Sequence, residues 1–548
     1  MIQIARQGNR QVLLADGKPF IMIAGEVHNS DSSSPEYMEH IWEIADGLGM
    51  NTLLLPVTWE MTEPEEGQFD FTVPRRLIDQ ARERSMRIVF LWFGSWKNAE
   101  CMYAPDWVKR DLKRFPRAQI EKGKNKAGRT VSPKIPVKIP YTTLSALGQE
   151  TRRADASAFA ALMDFLKSYD GKRQTVLAIQ VENETGLLGA AREVSDEADR
   201  MFSAPVPADF AEWMRKHTDT MTEDMRAAVQ AGKPEGTWAD VFGAQGEEIF
   251  SAYQTASFVE GVAKAGKAVY PLPMAVNCWL DKGGAPGTYP TGGPVSRVRE
   301  VWRFCAPSID IYGPDIYVPN FREICEEYTR RGEALFIPET ATHSYCAPRL
   351  AWTVGHHHAL CYSPFGFDDI GKPFSATQAF LFGVDVTDPA LKTPQNAEEF
   401  GILGRTLRSM TDLLAEAYGS SRLQAVSAET DPPVPHPSGN PMLASGPEMT
   451  FDTFRLQVRF QSPMMPRNDG YCLCLAVSGE ECYVVGNACG LTVLSADEEK
   501  PNLDFVRVEE GRFEDGQWKP GRRLNGDETA SLTLNAPTLL RVRFFTYE

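Results

Sequence analysis

The chain has 548 residues, of which 43% are hydrophobic and 24% are charged, and it contains 11 Trp and 16 Tyr. This length exceeds one ordinary hydrophobic core and predicts two or three domains of a globular protein. A formal net charge of −16 argues against nucleic-acid binding, because such a chain repels phosphate. We find no run of about 18 apolar residues, so no membrane span is expected.

The first twenty residues lack the apolar stretch and small-residue cleavage site of a secretory signal. The ten cysteines are scattered and show no double C-x-x-C spacing, so a zinc site is not expected. Cys472 and Cys474 lie two apart in a strand-like run, which puts them on one face and predicts packing in a core. We expect reduced thiols in a cytoplasmic protein.

Eight short apolar runs alternate with longer amphipathic stretches in the first 425 residues. The runs are FIMIAGEV from Phe20, NTLLLPV from Asn51, RIVFLWF from Arg87, TVLAIQVENE from Thr175, PLPMAVN from Pro271, SIDIYG from Ser308, ALFIPE from Ala334 and HALCYSP from His358. This alternation is typical of a parallel sheet covered by helices, and eight repeats indicate an α/β fold of the (β/α)₈ TIM barrel type. The alternative is a doubly wound open sheet, but we find no Gly-rich nucleotide loop after an early strand.

Two insertions follow the third and fourth predicted strands, at Cys101–Thr151 and from Phe202 to about Val269. Residues 426–447 are dense in Pro, Gly and Ser and are predicted to form a linker. Residues 448–548 carry short alternating runs separated by turn residues, which predicts a C-terminal antiparallel β-sandwich-like domain.

Three carboxylates stand where predicted barrel strands end. Glu26 ends the first strand, Glu184 the fourth and Glu339 the seventh. Catalytic groups of parallel barrels come from these strand ends, and glycoside hydrolysis requires two carboxyl groups flanking one bond. The fourth and seventh strands face each other across a barrel mouth. We therefore predict Glu184 and Glu339 as the catalytic pair; the alternative is that these carboxylates face solvent in loops.

Polar and aromatic residues near the strand ends are predicted to bind the sugar. Asn183 beside Glu184 offers an amide to a hydroxyl next to the reacting carbon, and a nearby Tyr is expected to donate a hydrogen bond to the nucleophile. Core packing is the alternative for each single aromatic residue. The further predicted substrate-binding residues are His28, Trp96, Asn277, Trp279, Tyr312 and Tyr317.

The run His356–His358 suggests a metal, but neighbouring strand residues alternate between faces, and no carboxylate or Cys stands at ligand spacing. No metal is predicted there. One of the three side chains is expected to point into the site from the eighth strand.

Several stretches resemble the β-galactosidases of glycoside hydrolase family 35. They are GEVHN, QVENETG, WEMTEPEEGQFDF from Trp59 and FGSWKNAECMYAPDW from Phe93. The resemblance covers Phe20 to about Phe367, and the ending GRFEDGQWKPGRRLNGDET is similar to that of a bacterial branch with a small C-terminal β-domain. It implies that Glu184 is the acid/base, that Glu339 is the nucleophile, and that Asn183 and Glu100 bind the sugar.

The sequence departs from the family at Leu54, where a sugar-contacting Tyr is usual, and at Thr185, where Tyr usually follows Asn-Glu. We expect a retaining exo-β-galactosidase that needs no cofactor, with the two insertions closing one end of the cleft. The alternatives are a β-glycosidase or transglycosylase for another sugar, such as a glucoside or glucosaminide, and a non-catalytic carbohydrate-binding barrel. A homo-oligomer is plausible, since the C-terminal domain shows no chemistry of its own.

Overall fold

A computed structural model describes residues 2–121, 134–136, 143–375, 378–379, 392–434, 437–438, 445–460, 469–530 and 532–548. Parts of the insertion at Cys101–Thr151 and of the predicted linker lie outside these residues. Among the described helices, none is long and apolar enough to cross a membrane. The ten cysteines are free thiols.

The strands up to residue 375 include all eight that the sequence predicts. They are β1 Gln3–Gln7, β2 Arg10–Ala15, β3 Lys18–Phe20, β4 Met22–Glu26, β5 Thr52–Thr58, β6 Arg87–Phe93, β7 Gln119–Glu121, β8 Lys134–Pro136, β9 Val176–Val181, β10 Met274–Trp279, β11 Ile311–Asp315, β12 Phe336–Ile337 and β13 Cys361–Tyr362. Strands β1–β3 form an antiparallel meander, and β7 pairs with β8.

The eight predicted strands form one sheet in the order β11-β10-β9-β6-β5-β4-β13-β12. Pairs such as β6 with β9 and β13 with β4 are parallel. Beyond the last strand of this order, Ile316 forms a parallel bridge with Thr340, and its N–H donates to the Glu339 carbonyl over 2.9 Å. The predicted (β/α)₈ barrel is confirmed.

Helices separate the barrel strands along the chain. They are α1 Pro35–Gly47, α2 Trp59–Thr62, α3 Thr72–Glu83, α4 Asp106–Arg110, α5 Gln149–Tyr169, α6 Asp196–Phe202, α7 Ala208–Lys216, α8 Glu223–Ala231, α9 Trp238–Phe242, α10 Gly246–Val269, α11 Arg299–Cys305, α12 Phe321–Thr329, α13 Cys346–Trp352, α14 Ala397–Ser409, α15 Thr411–Ala417 and, in the C-terminal domain, α16 Asp527–Ala530. Helix α3 buries Leu77, Ile78 and Ala81, the spacing of one helical face. Every residue of β4, β5 and β9 is buried, as expected for strands covered on both sides.

The C-terminal domain consists of antiparallel sheets, as predicted. Its strands are β14 Leu423–Ser427, β15 Glu448–Thr450, β16 Phe454–Arg459, β17 Tyr471–Ser478, β18 Glu481–Asn487, β19 Cys489–Ser495, β20 Asn502–Glu514, β21 Gln517–Leu524, β22 Leu532–Leu534 and β23 Thr538–Tyr547. They form a six-stranded sheet in the order β14-β17-β18-β23-β20-β21 and a four-stranded sheet in the order β15-β16-β19-β22. One apolar core includes Cys472 and Cys474, as the sequence predicts.

The chain divides into two compact units. The first comprises residues 1–28, 39–53 and 316–548, and the second comprises residues 29–38 and 54–315. Within the first unit, the fully buried Arg349 of α13 donates two hydrogen bonds to Glu429, at 2.6 Å and 3.0 Å. Its guanidinium carbon also lies 4.3 Å from the centre of the Phe321 ring. Thus the segment just after β14 supplies the counter-charge of a buried arginine.

Candidate active site

The residues after β9 form a tight turn that carries the predicted acid/base. Glu182 and Glu184 both have positive φ, at 64° and 45°, while Asn183 lies between them. Such angles are uncommon outside glycine and persist where the surroundings impose them. Glu182, Asn183 and Glu184 are buried. The strand therefore ends in a strained turn with three polar side chains.

Asn277 of β10 holds this turn from one side. Its Oδ1 accepts a hydrogen bond from the Glu184 N–H at 2.9 Å, and its Nδ2 donates to Asp315 Oδ2, also at 2.9 Å. Asp315 is the last residue of β11, and both side chains are buried. The side-chain amide of Asn277 is thereby fixed, and with it the position of the Glu184 backbone.

The segment after β6 holds the same turn from the other side. The Ala99 N–H donates to the Glu184 carbonyl at 3.0 Å, and the Trp96 carbonyl accepts from the Asn183 N–H at 3.3 Å. Lys97 is buried, and its Nζ donates to Asn183 Oδ1 at 3.1 Å. Glu100, one residue beyond Ala99, is buried too. Two strand-end segments are thus joined by main-chain and side-chain hydrogen bonds.

Trp96 is almost fully buried and packs edge-on against Phe258 of α10, with ring centres 4.7 Å apart. This contact belongs to the packing of the barrel wall. The stacking of Trp96 on a sugar face stays a prediction.

A pair of acids lies directly beneath the turn. Glu182 Oε2 accepts a hydrogen bond from the Trp96 N–H at 2.8 Å, and the Glu182 carboxyl is hydrogen-bonded to Asp155 of α5. Asp155 also accepts from Trp92 Nε1 at 2.8 Å and from the Ser95 N–H at 3.0 Å. Burial raises the pKa of Glu182 well above its usual range, and the charge of Asp155 adds to the effect. Two acids that share a hydrogen bond require a proton between them.

The predicted nucleophile is held through its carboxylate. Glu339 follows β12, is buried, and accepts a hydrogen bond at Oε2 from the Tyr317 hydroxyl over 2.8 Å. The next residue, Thr340, donates from Oγ1 to the Ile316 carbonyl at 2.9 Å. Tyr317 is therefore placed as the sequence suggested for a tyrosine near the nucleophile.

Glu26 and His28 end the first barrel strand in the same compact unit as Glu339. Glu26 is fully buried, and its carbonyl accepts from the Gly366 N–H at 2.8 Å. The His28 imidazole is partly exposed and lies 3.0 Å from Asp369 and 3.7 Å from Asp368. These three side chains bring possible metal-ligating atoms within 4.8 Å of one another. Lys372 already supplies a positive charge 3.0 Å from Asp369, so an ion is not needed to balance the acids.

Trp279 and Tyr312 occupy different environments. Trp279 ends β10, opposite Asp315 in the strand register, and is half-buried. Tyr312 has an odd spacing from Asp315, which puts the two side chains on opposite faces of β11. Burial raises the pKa of the Tyr312 hydroxyl, and charged groups of α11, Arg303 and Arg299, act on it. The structure thus places Tyr312 toward α11, unlike the expectation that it binds substrate or the nucleophile.

The histidine run precedes β13 and therefore lies at the amino end of that strand, away from the strand ends that carry the predicted site residues. His357 belongs to a π-helical turn, Thr353–His357, and packs edge-on against Trp352. The Gly419 N–H donates to His358 Nδ1 at 2.9 Å. Burial lowers the pKa of His357 to about 2 and that of His358 to about 4. The run is therefore part of the packing and does not point into the site.

Sequence reasoning missed Lys97 and Asp155. Asp155 lies within a long helix, where a carboxylate gives no local signal of its role. Lys97 lies within FGSWKNAECMYAPDW, in which only Trp96 and Glu100 are predicted to bind the sugar. Glu182 stands within QVENETG, but no pattern around it distinguishes a buried acid from a solvated one.

Two family models match the chain. Residues 12–117 match the model described as Glycosyl hydrolases family 35, so the predicted resemblance to this family is confirmed. Residues 405–534 match a Domain of unknown function (DUF5597). No curated protein matches the chain.

Solved structures with low identity also match. A β-galactosidase from Bacillus circulans sp. alkalophilus is 13% identical over 73% of this chain and 57% of its own, with a TM-score of 0.45. The exo-β-1,4-mannosidase Op5Man5 from Opitutaceae bacterium strain TAV5 is 16% identical over 73% and 61%, with a TM-score of 0.40. A β-galactosidase from Rahnella sp. R3 is 12% identical over 73% and 58%, with a TM-score of 0.45. This chain thus spans less than two thirds of each of them.

Proposed function

We propose that this chain, a relative of glycosyl hydrolase family 35 by the match of residues 12–117, is a retaining exo-β-glycosidase. The observation that carries the proposal is a buried carboxylate after each of β9 and β12, the fourth and seventh strands of a parallel barrel. The carboxyl ends of parallel barrel strands open on one rim. We expect the carboxyl groups of Glu184 and Glu339 to lie about 5–5.5 Å apart there, the spacing of retaining enzymes.

In the first step Glu339 attacks the anomeric carbon while Glu184 protonates the departing glycosidic oxygen. The Tyr317 hydroxyl, which donates to Glu339 Oε2 at 2.8 Å, orients the nucleophile before attack. The bond to the leaving group breaks as the bond to Glu339 forms, which gives a covalent glycosyl-enzyme intermediate. The leaving group departs with the proton from Glu184.

In the second step Glu184 removes a proton from water, which attacks the anomeric carbon and releases Glu339. Two inversions give net retention. Because the same group gives and then takes a proton, it must keep its position in both charge states. Two backbone hydrogen bonds of Glu184 supply this: its carbonyl accepts from the Ala99 N–H and its N–H donates to Asn277 Oδ1, and neither depends on the charge of the side chain.

A terminal β-galactosyl unit is the proposed substrate, on the basis of the family resemblance. Asn183 and Glu100 are proposed to bind its hydroxyls, with Trp279, His28 and Glu26 as further candidates. The substitution at Leu54 leaves another β-linked sugar as the second candidate. A homo-oligomer and a cytoplasmic location remain predictions from the sequence.

The test compares Glu339→Gly with Glu184→Ala on a panel of nitrophenyl β-glycosides. The Glu339→Gly variant should lose about 10⁴-fold or more in kcat, because it cannot form the covalent intermediate. Azide should restore turnover and give the α-glycosyl azide, with inverted configuration. Glu184→Ala should lose about 10²–10⁴-fold on poor leaving groups and much less on activated ones. With azide it should give the β-glycosyl azide.

The exposed Glu212, replaced by Ala, serves as the matched control and should keep full activity. The opposite azide products would reverse the two roles. Full activity in both variants would place the site elsewhere, and a wild-type protein that hydrolyses none of the panel would favour a non-catalytic sugar-binding barrel.

A further inference from the structure

A groove of about 510 Å³ lies at the amino ends of β12 and β13, wholly within the first compact unit. Its walls are the turn between β1 and β2, the C-terminal end of α12 with the three residues that follow it, and the π-helical turn Thr353–His357. The end of α12 precedes β12, whereas Glu339 follows that strand, so the groove and the proposed nucleophile lie at opposite ends of it. We call it the arginine groove, because it is lined by Arg6, Arg10, Arg330 and Arg331.

Gly332 allows the turn between β1 and β2 to lie directly against the segment before β12. Its φ is +72°, and a Cβ there would lie 2.9 Å from the Asn9 carbonyl oxygen, closer than real Cβ contacts. The Ala334 N–H donates to Gln11 Oε1 at 3.0 Å, which joins β2 to the same segment. The two terminal nitrogens of Arg6 lie 3.8 and 3.9 Å from that Cβ position. The Arg6 guanidinium therefore lies over a residue that lines the groove.

Arg10, at the start of β2, is half-buried and has no acidic partner. Burial lowers the pKa of its guanidinium, which forms no ion pair and no hydrogen bond with the described residues. Burial is also the main cause of the lowered pKa of His356 and His357, and the charge of Arg10 adds to it, so the guanidinium is near these two residues of the groove wall. A charge withdrawn from water is normally paired, because its desolvation costs free energy. An anion in the groove would supply the missing partner.

The other charges around the groove leave it positive. Arg330 stands at the C-cap of α12, and neither its guanidinium nor that of Arg6 forms an ion pair or hydrogen bond with a described residue. Glu326 is the one acid among the described lining residues, and Arg322 already pairs with it at 2.8 Å. Three cations without an acid around one groove are a local exception in a chain whose formal net charge is −16. Like charges repel, so an anion bound between them relieves this repulsion.

The chemistry of the groove fits a phosphate group. A guanidinium is a planar fork that binds phosphate oxygens in pairs, and a phosphate monoester brings about two negative charges and three acceptor oxygens. A single carboxylate brings one charge. The volume of about 510 Å³ falls in the range of small-molecule sites, so an organic part has room beside the phosphate. The negative net charge of the chain argues against nucleic acid as the source of the phosphate.

We infer that the arginine groove binds the phosphate group of a small molecule, either a phosphate ester or the free ion, through Arg6, Arg10 and Arg330. The ligand would bridge the turn between β1 and β2 and the end of α12. The groove shares no residue with the proposed catalytic site, so the inference stands whether or not the chain is a glycosidase.

The experiment is calorimetric titration of the full chain, at constant ionic strength, with glucose 6-phosphate, inorganic phosphate and succinate. Arg10→Gln and Arg6→Gln should each raise the Kd for glucose 6-phosphate about tenfold or more, because each variant loses one charged contact to the phosphate. Arg6 is exposed, so its variant decides the test if Arg10→Gln does not fold. Arg512→Gln removes an exposed arginine elsewhere in the same unit and should leave the Kd unchanged.

Two results would support the site and distinguish the sources of the phosphate. Glucose 6-phosphate that binds more tightly than inorganic phosphate would identify an ester as the ligand, and equal affinities would identify the free ion. Three results would overturn the inference: no saturable binding of either phosphate compound, succinate binding as tight as that of phosphate, or a Kd that Arg6→Gln and Arg10→Gln change no more than Arg512→Gln does.

Discussion

The turn that carries Glu184 is held at both the N–H and the carbonyl of that residue, whereas Glu339 is held at its carbonyl and at its carboxylate. Asn277 and Ala99 bind the N–H and the carbonyl of Glu184, and Tyr317 donates directly to an oxygen of Glu339. The difference matches the two proposed tasks. A group that cycles between acid and base needs a position that is independent of charge, while a nucleophile needs a partner that fixes the direction of its carboxylate.

The largest effect on this difference between the two carboxylates is expected for Asn277→Ala. The Glu184 N–H then loses its acceptor and Asp315 loses a donor, so the acid/base should shift. A displacement of about 1 Å costs on the order of 10²-fold, and we expect a loss of this size in kcat/KM. The loss should grow with the pKa of the leaving group, because proton donation is what suffers; a series of aryl β-glycosides measures this slope.

Asn51 provides the matched control, since its side chain also bridges two backbone groups, Ile23 N and Ile21 O, but at the opposite end of the barrel. Asn51→Ala should lower Tm and leave the slope unchanged. An Asn277→Ala loss that is the same for all leaving groups would mean that the amide acts on binding or folding instead.

A smaller effect is expected for Tyr317→Phe. A hydrogen bond to a charged group contributes about 1.5–3 kcal/mol, which corresponds to a roughly tenfold to hundredfold fall in kcat/KM. Without the donor the carboxylate of Glu339 is no longer held in one orientation for attack, so the covalent intermediate should form more slowly; stopped-flow release of the aryl leaving group measures this rate.

Tyr418→Phe removes another buried hydroxyl of the same unit, which donates to the Ala359 carbonyl at 3.0 Å, and it should leave that rate unchanged. A Tyr317→Phe variant with an unchanged rate of leaving-group release would contradict the role of Tyr317 in holding the nucleophile.

The smallest effect concerns the acid pair beneath the Glu184 turn. Burial raises the pKa of Glu182 in the folded state above its unfolded value near 4.3. The bound proton therefore contributes to the free energy of unfolding. This contribution is fully present below the unfolded pKa and is lost as the pH rises through the folded pKa. Glu182→Gln keeps an acceptor for the Trp96 N–H and a donor to Asp155 without needing that proton. Tm of the variant should fall less than that of the wild type between pH 6 and pH 9, by about 2–4 °C.

Glu212→Gln, which changes an exposed carboxylate, should follow the wild type across that range. Parallel Tm curves for Glu182→Gln and the wild type would show that the pair holds no extra proton.

The eight barrel strands could be predicted because each is a nearly continuous apolar run between helical stretches. The residues at which these strands end could not be predicted. The fourth run extends through Glu184 in the sequence, but β9 stops at Val181, because Glu182 takes a positive φ that no residue pattern signals. The seventh strand shrinks to Phe336–Ile337, since the segment that follows bridges back to Ile316.

Within the candidate site, the carboxylates at strand ends could be predicted from the sequence, because barrel topology places the carboxyl ends of all strands at one rim. Tyr312 and Tyr317 have the same predicted role. The odd spacing between Tyr312 and Asp315 puts these two side chains on opposite faces of a strand, which was sufficient to separate Tyr312 from the site. Asp155 could not be found, since its role depends on which turn of α5 faces Ser95 in three dimensions.

The buried ion pair between Arg349 and Glu429 limits how evolution or engineering can recombine this protein. A barrel that is cut after β14, or fused to a foreign C-terminal partner, keeps the arginine and loses its acid. Removing one member of a buried pair costs about 3–5 kcal/mol, a large part of the 5–15 kcal/mol that stabilises a typical domain. A swap would need either an acid at the equivalent place in the incoming partner or a neutral residue at 349. We therefore expect α13 and the segment after β14 to tolerate exchange only as a pair.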